Sequence, residues 1–469
     1  MSCEILIIGS GPGGATIADQ MLKYGKDVLM LEEGATASYR DMESPMSNLQ
    51  NLWRGNGLTV AIGKSPVSYA EGRCVGGGSE INSAIIQRAP SHLLDEWAQR
   101  YEIESFNSRD LEPFYEWAFD KIGAKFTPDE SNSLSRVMLK GANRLNWKIA
   151  PLERAEDKQD GKRSMSATLL KEALLSGLRL KTGCRVMSLG INESKAQFAL
   201  ARVTGDDGKE THMKIFFKSV FIAAGAIQTP ALLLRSSIIK NVGRSLRMHP
   251  TIKALASFDE TMTGVKDYLA PYAVTEFMPN IRLGCSVYRP AFFGMSLAED
   301  WASRSHLSNS MNNCGIYYSM VRAQGIGRIY SVPGSLNPLV TYKLTKGDWA
   351  NLRSGLLSLA ELLFSADATE IFPSLSRHAG WKNIGDAKTD ATLNHLEKFS
   401  NPFTIHIFSS CPMGENLDYC AVDSFGKVHG MENVFIADAS LIPEAPGVNP
   451  QATIMALAKR NAENFLERN

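Results

Sequence analysis

Apolar positions along this chain follow several distinct rhythms. Residues 3–9, CEILIIG, form an unbroken apolar run, as expected of a strand buried on both faces of a sheet. GSGPGGATIADQMLKYGK follows and has the periodicity of a helix opened by a glycine-rich turn. DVLMLEEG at 27–34 is a second buried strand. VFIAAGAIQTPALLLRSSII at 220–239 is apolar overall, but Gln228, Thr229, Pro230 and Arg235 interrupt it. It reads as a strand, a small-residue turn and a short helix, not a membrane span. GRIYSVPG and LVTYKLT, within 327–345, predict strands, and WANLRSGLLSLAELLFSA at 349–366 predicts a long amphipathic helix. Near the end, Pro450 opens a helix with Ile454, Leu457, Ala458 and Phe465 on one buried stripe. No repeat or low-complexity linker is present. The strand pattern starting at Cys3 leaves no room for a signal peptide before it.

The first strand–loop–helix has a specific chemistry. Gly9, Gly11 and Gly14 fit G-x-G-x-x-G: a tight turn, a close approach of backbone to a pyrophosphate, and a helix seated close on the sheet. The helix N-terminus then faces the phosphates. Glu32 closes the second strand 18 residues beyond Gly14, near the spacing of an acid that binds a ribose. A carboxylate there suits an unphosphorylated ribose, so FAD or NAD.

Composition narrows the field. At 469 residues two domains are expected, and a formal net charge of +1 gives no electrostatic case for nucleic-acid or anionic-membrane binding. Seven scattered cysteines, none in a C-x-x-C pair, fit free thiols in a reducing, cytoplasmic compartment rather than disulfides or zinc, and no metal site is expected.

Three further segments complete a pattern. EGRCVGGGSEINSAIIQR at 71–88 has three consecutive glycines, including Gly76, with Ser79 and Asn82 as side-chain donors. AAGAIQTP, containing Ala224, permits another close backbone approach, and the C-terminal block runs HIFSSCPMG at 406–414, then AVDSFGKVHGMENVFIADASLIPEAPGVNPQATIM at 421–455. Together with the N-terminal loop, these resemble the glucose–methanol–choline (GMC) oxidoreductase family. Their form is most similar to the subgroup of long-chain alcohol oxidases and some sugar-type dehydrogenases.

The resemblance implies an α/β protein with two parts. A Rossmann-like FAD-binding domain would be assembled from 1–90, 165–248 and 405–469. A substrate domain, an antiparallel sheet covered by helices, would come from 250–404, with 91–164 between. It implies His406 as the general base for oxidation of a carbinol, with Asn449 holding the hydroxyl beside it. A neutral imidazole suits that role because its ordinary pKa lies near operating pH. Asn449 also precedes Pro450, and asparagine is a good helix cap, so both readings stand. The amides of Gln451 and Ala452 would face the flavin pyrimidine, where a helix dipole favours the reduced anionic form. Asp438 would contact the flavin side of the cofactor. Ser409 stands where the family has glycine. Ile81 stands where some members attach FAD through histidine, so dissociable, non-covalent FAD is expected. His249 reads as structural.

Aromatic and methionine residues outnumber charges at 279–297 and 312–321; they suit an apolar or aromatic primary alcohol, and equally the core of the second domain. Oxygen or a quinone-type acceptor would reoxidise the flavin, with the dehydrogenase reading preferred. An oxygen-using oxidase and an FAD-containing hydroxynitrile lyase are the alternatives.

Overall fold

The structure is a computed structural model that describes residues 1–36, 45–128, 132–157, 161–205, 207–262 and 271–468. Five parallel segments form its first sheet, in the order Arg179–Lys181, Val28–Leu31, Ser2–Ile8, Glu210–Ile222, Val434–Ile436. Glu210–Ile222 is long enough to continue beyond this region. Its first half pairs antiparallel with Lys195–Thr204, which in turn pairs with Cys184–Asn192.

The register decides where ligands can bind. Ile8 is level with Leu31 and Ile222, and Ile222 with Ile436. Gly9, Glu32, Ala223 and Ala437, each the next residue, therefore emerge together at one carboxyl edge. That edge is where open α/β sheets bind ligands. Helix Pro12–Lys23 leaves this edge and packs against the C-terminal helix, Gln451–Arg468. Gly9 has φ +101°, and a side chain on Gly14 would strike the Gly9 carbonyl oxygen at 2.1 Å. Both positions thus require glycine.

Among the described residues, a second, mostly antiparallel sheet has nine strands. At its centre Thr251–Ser257, Cys314–Val321 and Ile281–Cys285 lie side by side. Helix Lys346–Ser365 covers one face, and Leu352, Leu356, Leu359 and Leu363 pack there with Ile281, Leu283 and Ile316. The helix begins before its apolar stripe because Thr345 and Asp348 make a reciprocal capping box. Strand side chains alternate between faces. With Ile281 and Leu283 on the helix side, Arg282 points the other way, toward the C-terminal loop.

Two features were not visible in the sequence pattern. Thr59–Ala61 and Val67–Tyr69 join the second sheet, although they lie within 1–90. The expected strands at 327–345 are present as Ile326–Tyr330 and Leu339–Lys343, but they form a separate two-stranded sheet. Among the described residues no helix is long and apolar enough to cross a membrane. All seven cysteines are buried and free.

Candidate active site

A long cleft runs along the carboxyl edge of the first sheet and holds about 1440 Å³ of space, counting its open mouth. Gly9, Gly11, Glu32, Ser79, Asn82, Ala224, Asp438 and Gln451 line it, together with His406 and Asn449. Gly14, Gly76 and Ala452 lie behind this wall. Gly76 braces it instead, its N–H donating to Ser10 Oγ at 3.1 Å.

The cleft tests well as a dinucleotide site. A methyl group added to Gly11 or Gly78 would meet nothing within 4 Å, so these glycines open a cradle that side chains would fill. Gly11 sits at the N-terminus of helix Pro12–Lys23, whose first N–H groups have no intrahelical partner. Glu32 is held rigidly: Ser10 donates to Oε2 through its hydroxyl (2.6 Å) and its N–H (3.1 Å), and Gly34 N–H donates to Oε1 at 2.8 Å. Burial raises its carboxyl pKa against these bonds. Asp438 accepts from Gly225 N–H at 2.9 Å, from the Thr229 hydroxyl and from Ser440 N–H at 2.8 Å. It fixes the turn after one parallel strand against the turn after another. Asn82 Nδ2 donates to Gln451 Oε1 at 2.6 Å, joining the glycine loop to the C-terminal helix.

Beyond Glu32 the cleft is lined by charged residues that the sequence pattern did not single out. Glu33 pairs with Arg54 at 2.8 Å, and also with Arg73 and Arg185. Arg54 reaches Glu71, which accepts from Gln228. Glu33, Glu71, Arg73 and Gln228 lie in segments quoted above without being singled out there as site residues, and Arg54 and Arg185 lie in none of them.

At the other end, His406 and Asn449 are brought together from two loops. His406 Nε2 lies 3.1 Å from Asn449 Nδ2, and both residues are buried. Burial, with Arg282 nearby, lowers the His406 pKa to about 3, so the ring is neutral at working pH. Asn449 Oδ1 accepts from Arg282 Nη1 at 3.2 Å. The Arg282 guanidinium also donates to Gln87 Oε1. His249, read from the sequence as structural, touches the pair directly. Its Nδ1 is 3.1 Å from His406 Nδ1, and its Nε2 accepts from Gly447 N–H at 2.9 Å. The only sequence signal for it was the His249–Pro250 pair. Gln87 and Arg282 lie in segments quoted from the sequence, but nothing there marked either one.

Ser409, in the family's glycine position, has φ +65°. It occupies the left-handed region that glycine enters without strain. The helix after Asn449 starts at Gln451, and the Pro450 carbonyl accepts its first bond, from Ile454 N–H at 3.0 Å. Pro450 is therefore the cap residue. The Asn449 amide is committed to Arg282 and His406, so the capping reading does not hold.

Comparisons with known proteins agree with this geometry. Two models described as GMC oxidoreductase match residues 49–251 and 331–458. An uncharacterized GMC-type oxidoreductase of Sinorhizobium fredii is 44% identical, over 99% of this chain and 95% of its own length. A long-chain-alcohol oxidase of Arabidopsis thaliana is 27% identical over 97% of this chain and 66% of its own length. Among solved structures, a pyridoxine 4-oxidase superposes with TM-score 0.77 at 17% identity, each chain covered in full. An Aspergillus oryzae formate oxidase also gives 0.77, at 14% identity, covering 100% of this chain and 98% of its own. The glycine cradle, the anchored acid after the second strand and these full-length matches converge: the chain belongs to the GMC oxidoreductase family of FAD-binding flavoproteins.

Proposed function

We propose that the protein oxidises an alcohol to its carbonyl compound, with His406 as general base and Asn449 orienting the hydroxyl. The observation that carries this reading is the buried 3.1 Å pairing of His406 Nε2 with Asn449 Nδ2 at one end of the FAD cleft. FAD, when bound, supplies the acceptor for the hydride. A hydroxyl seated between the two side chains gives its proton to the imidazole and accepts a hydrogen bond from the amide. Arg282, which only donates, turns the Asn449 carbonyl toward itself and the NH₂ toward His406. Gly11, Gly78 and Glu32 would hold the pyrophosphate and ribose, and the start of the helix at Gln451 the flavin pyrimidine.

The substrate we propose is an alcohol with an apolar or aromatic body, and the acceptor a quinone-type compound. The oxygen-using reading draws on the long-chain-alcohol oxidases among the relatives. Hydrogen peroxide formation under air, compared with reduction of a quinone-type dye, separates the two. An anaerobic screen of aliphatic, benzylic, heteroaromatic and sugar alcohols tests the reaction itself. The flavin is expected to bleach with an apolar or benzylic alcohol. A flavin that stays yellow with every alcohol overturns the reading and favours a lyase.

Ile81 cannot form the link through which some relatives fix their flavin. Acid precipitation is therefore expected to leave a colourless pellet and a yellow supernatant. Colour that stays with the protein would contradict dissociable FAD. Seven buried free thiols support a reducing, cytoplasmic setting.

A further inference from the structure

The hydrogen bonds around His406 contain one proton too many. Gly447 N–H can only donate, and it points at His249 Nε2, 2.9 Å away. Arg282 can only donate, so the Asn449 NH₂ group points at His406 Nε2, 3.1 Å away. Both outer contacts therefore require a lone pair on the imidazole. Between them the two Nδ1 atoms face each other at 3.1 Å, which needs one lone pair and one proton. The full chain calls for three lone pairs and one proton. Two neutral imidazoles supply two of each. Flipping a ring cannot help, because both nitrogens of both rings are engaged. Burial keeps the two rings neutral, with Arg282 and Arg322 also disfavouring charge on His249.

One contact must therefore be given up. Giving up the central one leaves two Nδ1–H groups facing each other at 3.1 Å and no bond between the rings; two arrangements keep the rings bonded. In the first, His406 Nδ1–H donates to His249 Nδ1, the His406 Nε2 lone pair is free, and the Gly447 bond is lost. In the second, His249 Nδ1–H donates to His406 Nδ1, the Gly447 bond is kept, and His406 carries its proton on Nε2. Only the first can act as a base toward an alcohol. The second presents two donors, His406 Nε2–H and the Asn449 NH₂, to a carbonyl oxygen.

We propose that His249 is the proton partner of His406, selecting its tautomer at rest and receiving its Nδ1 proton when the alcohol is deprotonated. This rests on the alcohol-oxidation reading above. The alcohol O–H proton moves to His406 Nε2 as the Nδ1 proton crosses to His249 Nδ1. The pair gains one proton and one positive charge; burial, Arg322 and Arg282 disfavour that charge, so the protonated pair is short-lived and loses its proton once the carbonyl product forms. No electrons move in this transfer; the hydride leaves carbon for the FAD separately. His249 is a positioning residue, since it acts through His406.

The variant His249→Asn separates the roles. Its side-chain oxygen can accept from His406 Nδ1–H, but it takes up no proton. Nitrogen-15 spectra of histidine-labelled holoenzyme need no substrate. In the wild type, the His406 nitrogens are expected at positions averaged between protonated and free. In His249→Asn they move to a protonated Nδ1 and a free Nε2. Flavin reduction in mixed light and heavy water gives the second readout. A bowed proton inventory is expected for the wild type and a linear one for His249→Asn, with the rate down about a hundredfold. His249→Gln serves the same measurements if the asparagine variant does not fold. A wild-type His406 fixed in one tautomer, or the same inventory in both proteins, overturns the proposal. If no alcohol bleaches the flavin, the alcohol-oxidation reading fails, while the nitrogen spectra still decide the tautomer claim.

Discussion

Replacing His406 with alanine is expected to slow flavin reduction by an alcohol by about 10²–10⁴-fold, the usual contribution of a positioned general base. FAD should remain bound at full stoichiometry. Its contacts would be spread along a cleft whose Gly11 cradle and anchored Glu32 lie on elements separate from the His406 loop. The measurement is anaerobic mixing with the preferred alcohol while flavin absorbance is followed, with bound FAD quantified in the same sample. Two effects must be kept apart. Truncation removes the proposed base, and it also strips Asn449 Nδ2 and His249 Nδ1 of a buried partner. Leaving a buried donor unpaired costs about 1–3 kcal/mol, so a lower unfolding temperature is expected as well. A destabilised variant that holds FAD and reduces it at wild-type speed would remove His406 from the reaction.

Asn449→Ala is expected to slow flavin reduction by about 10²-fold, because a reacting group displaced by about 1 Å can cost that much. His406 keeps its place in this variant, and its imidazole remains available. What is lost is the NH₂ group that orients the hydroxyl. Arg282 also loses an acceptor and is left with Gln87 as its remaining bonded partner among the described residues. If Asn449 were merely a helix cap, its loss would cost about 1 kcal/mol of stability and no rate. Comparing the rate of reduction with thermal unfolding on the same preparation distinguishes the two. A wild-type rate with lowered stability would sink the catalytic assignment.

The two variants also probe different parts of the chain's organisation. His406 and Asn449 come from loops that follow different elements, and each is set by a neighbour from the second sheet or its approach. Arg282 lies on Ile281–Cys285 and turns the Asn449 amide; His249 lies just before Thr251–Ser257 and abuts His406. The first sheet thus supplies the cofactor edge. The second supplies Arg282, which donates to the Asn449 carbonyl oxygen, and leads from His249, which abuts His406.

Much of the cofactor cleft was legible in the chain itself. Strand, glycine turn, helix, second strand and acid occupy residues 3–34 without interruption. Each step is dictated locally: an apolar run for a buried strand, Gly9 for its positive φ, Gly14 for contact with a carbonyl, and Glu32 at the end of the next strand. Register then carries those local choices to one edge. The region around His406 is different. Gln87, His249, Arg282, His406 and Asn449 are separated by dozens to hundreds of residues, and four of the five join through side chains that follow no periodicity. Sequence alone pointed to the dinucleotide loop, to the acid after the second strand and, through the GMC-like segments, to His406 and Asn449 as the proposed pair. Only the tertiary structure decided that His249 belongs beside them, that Arg282 orients the amide, and that strands at 59–69 belong to the second sheet. The reason is that hydrogen-bond direction in a buried network depends on which groups the closed chain brings within 3 Å or so of each other, and no local spacing encodes that.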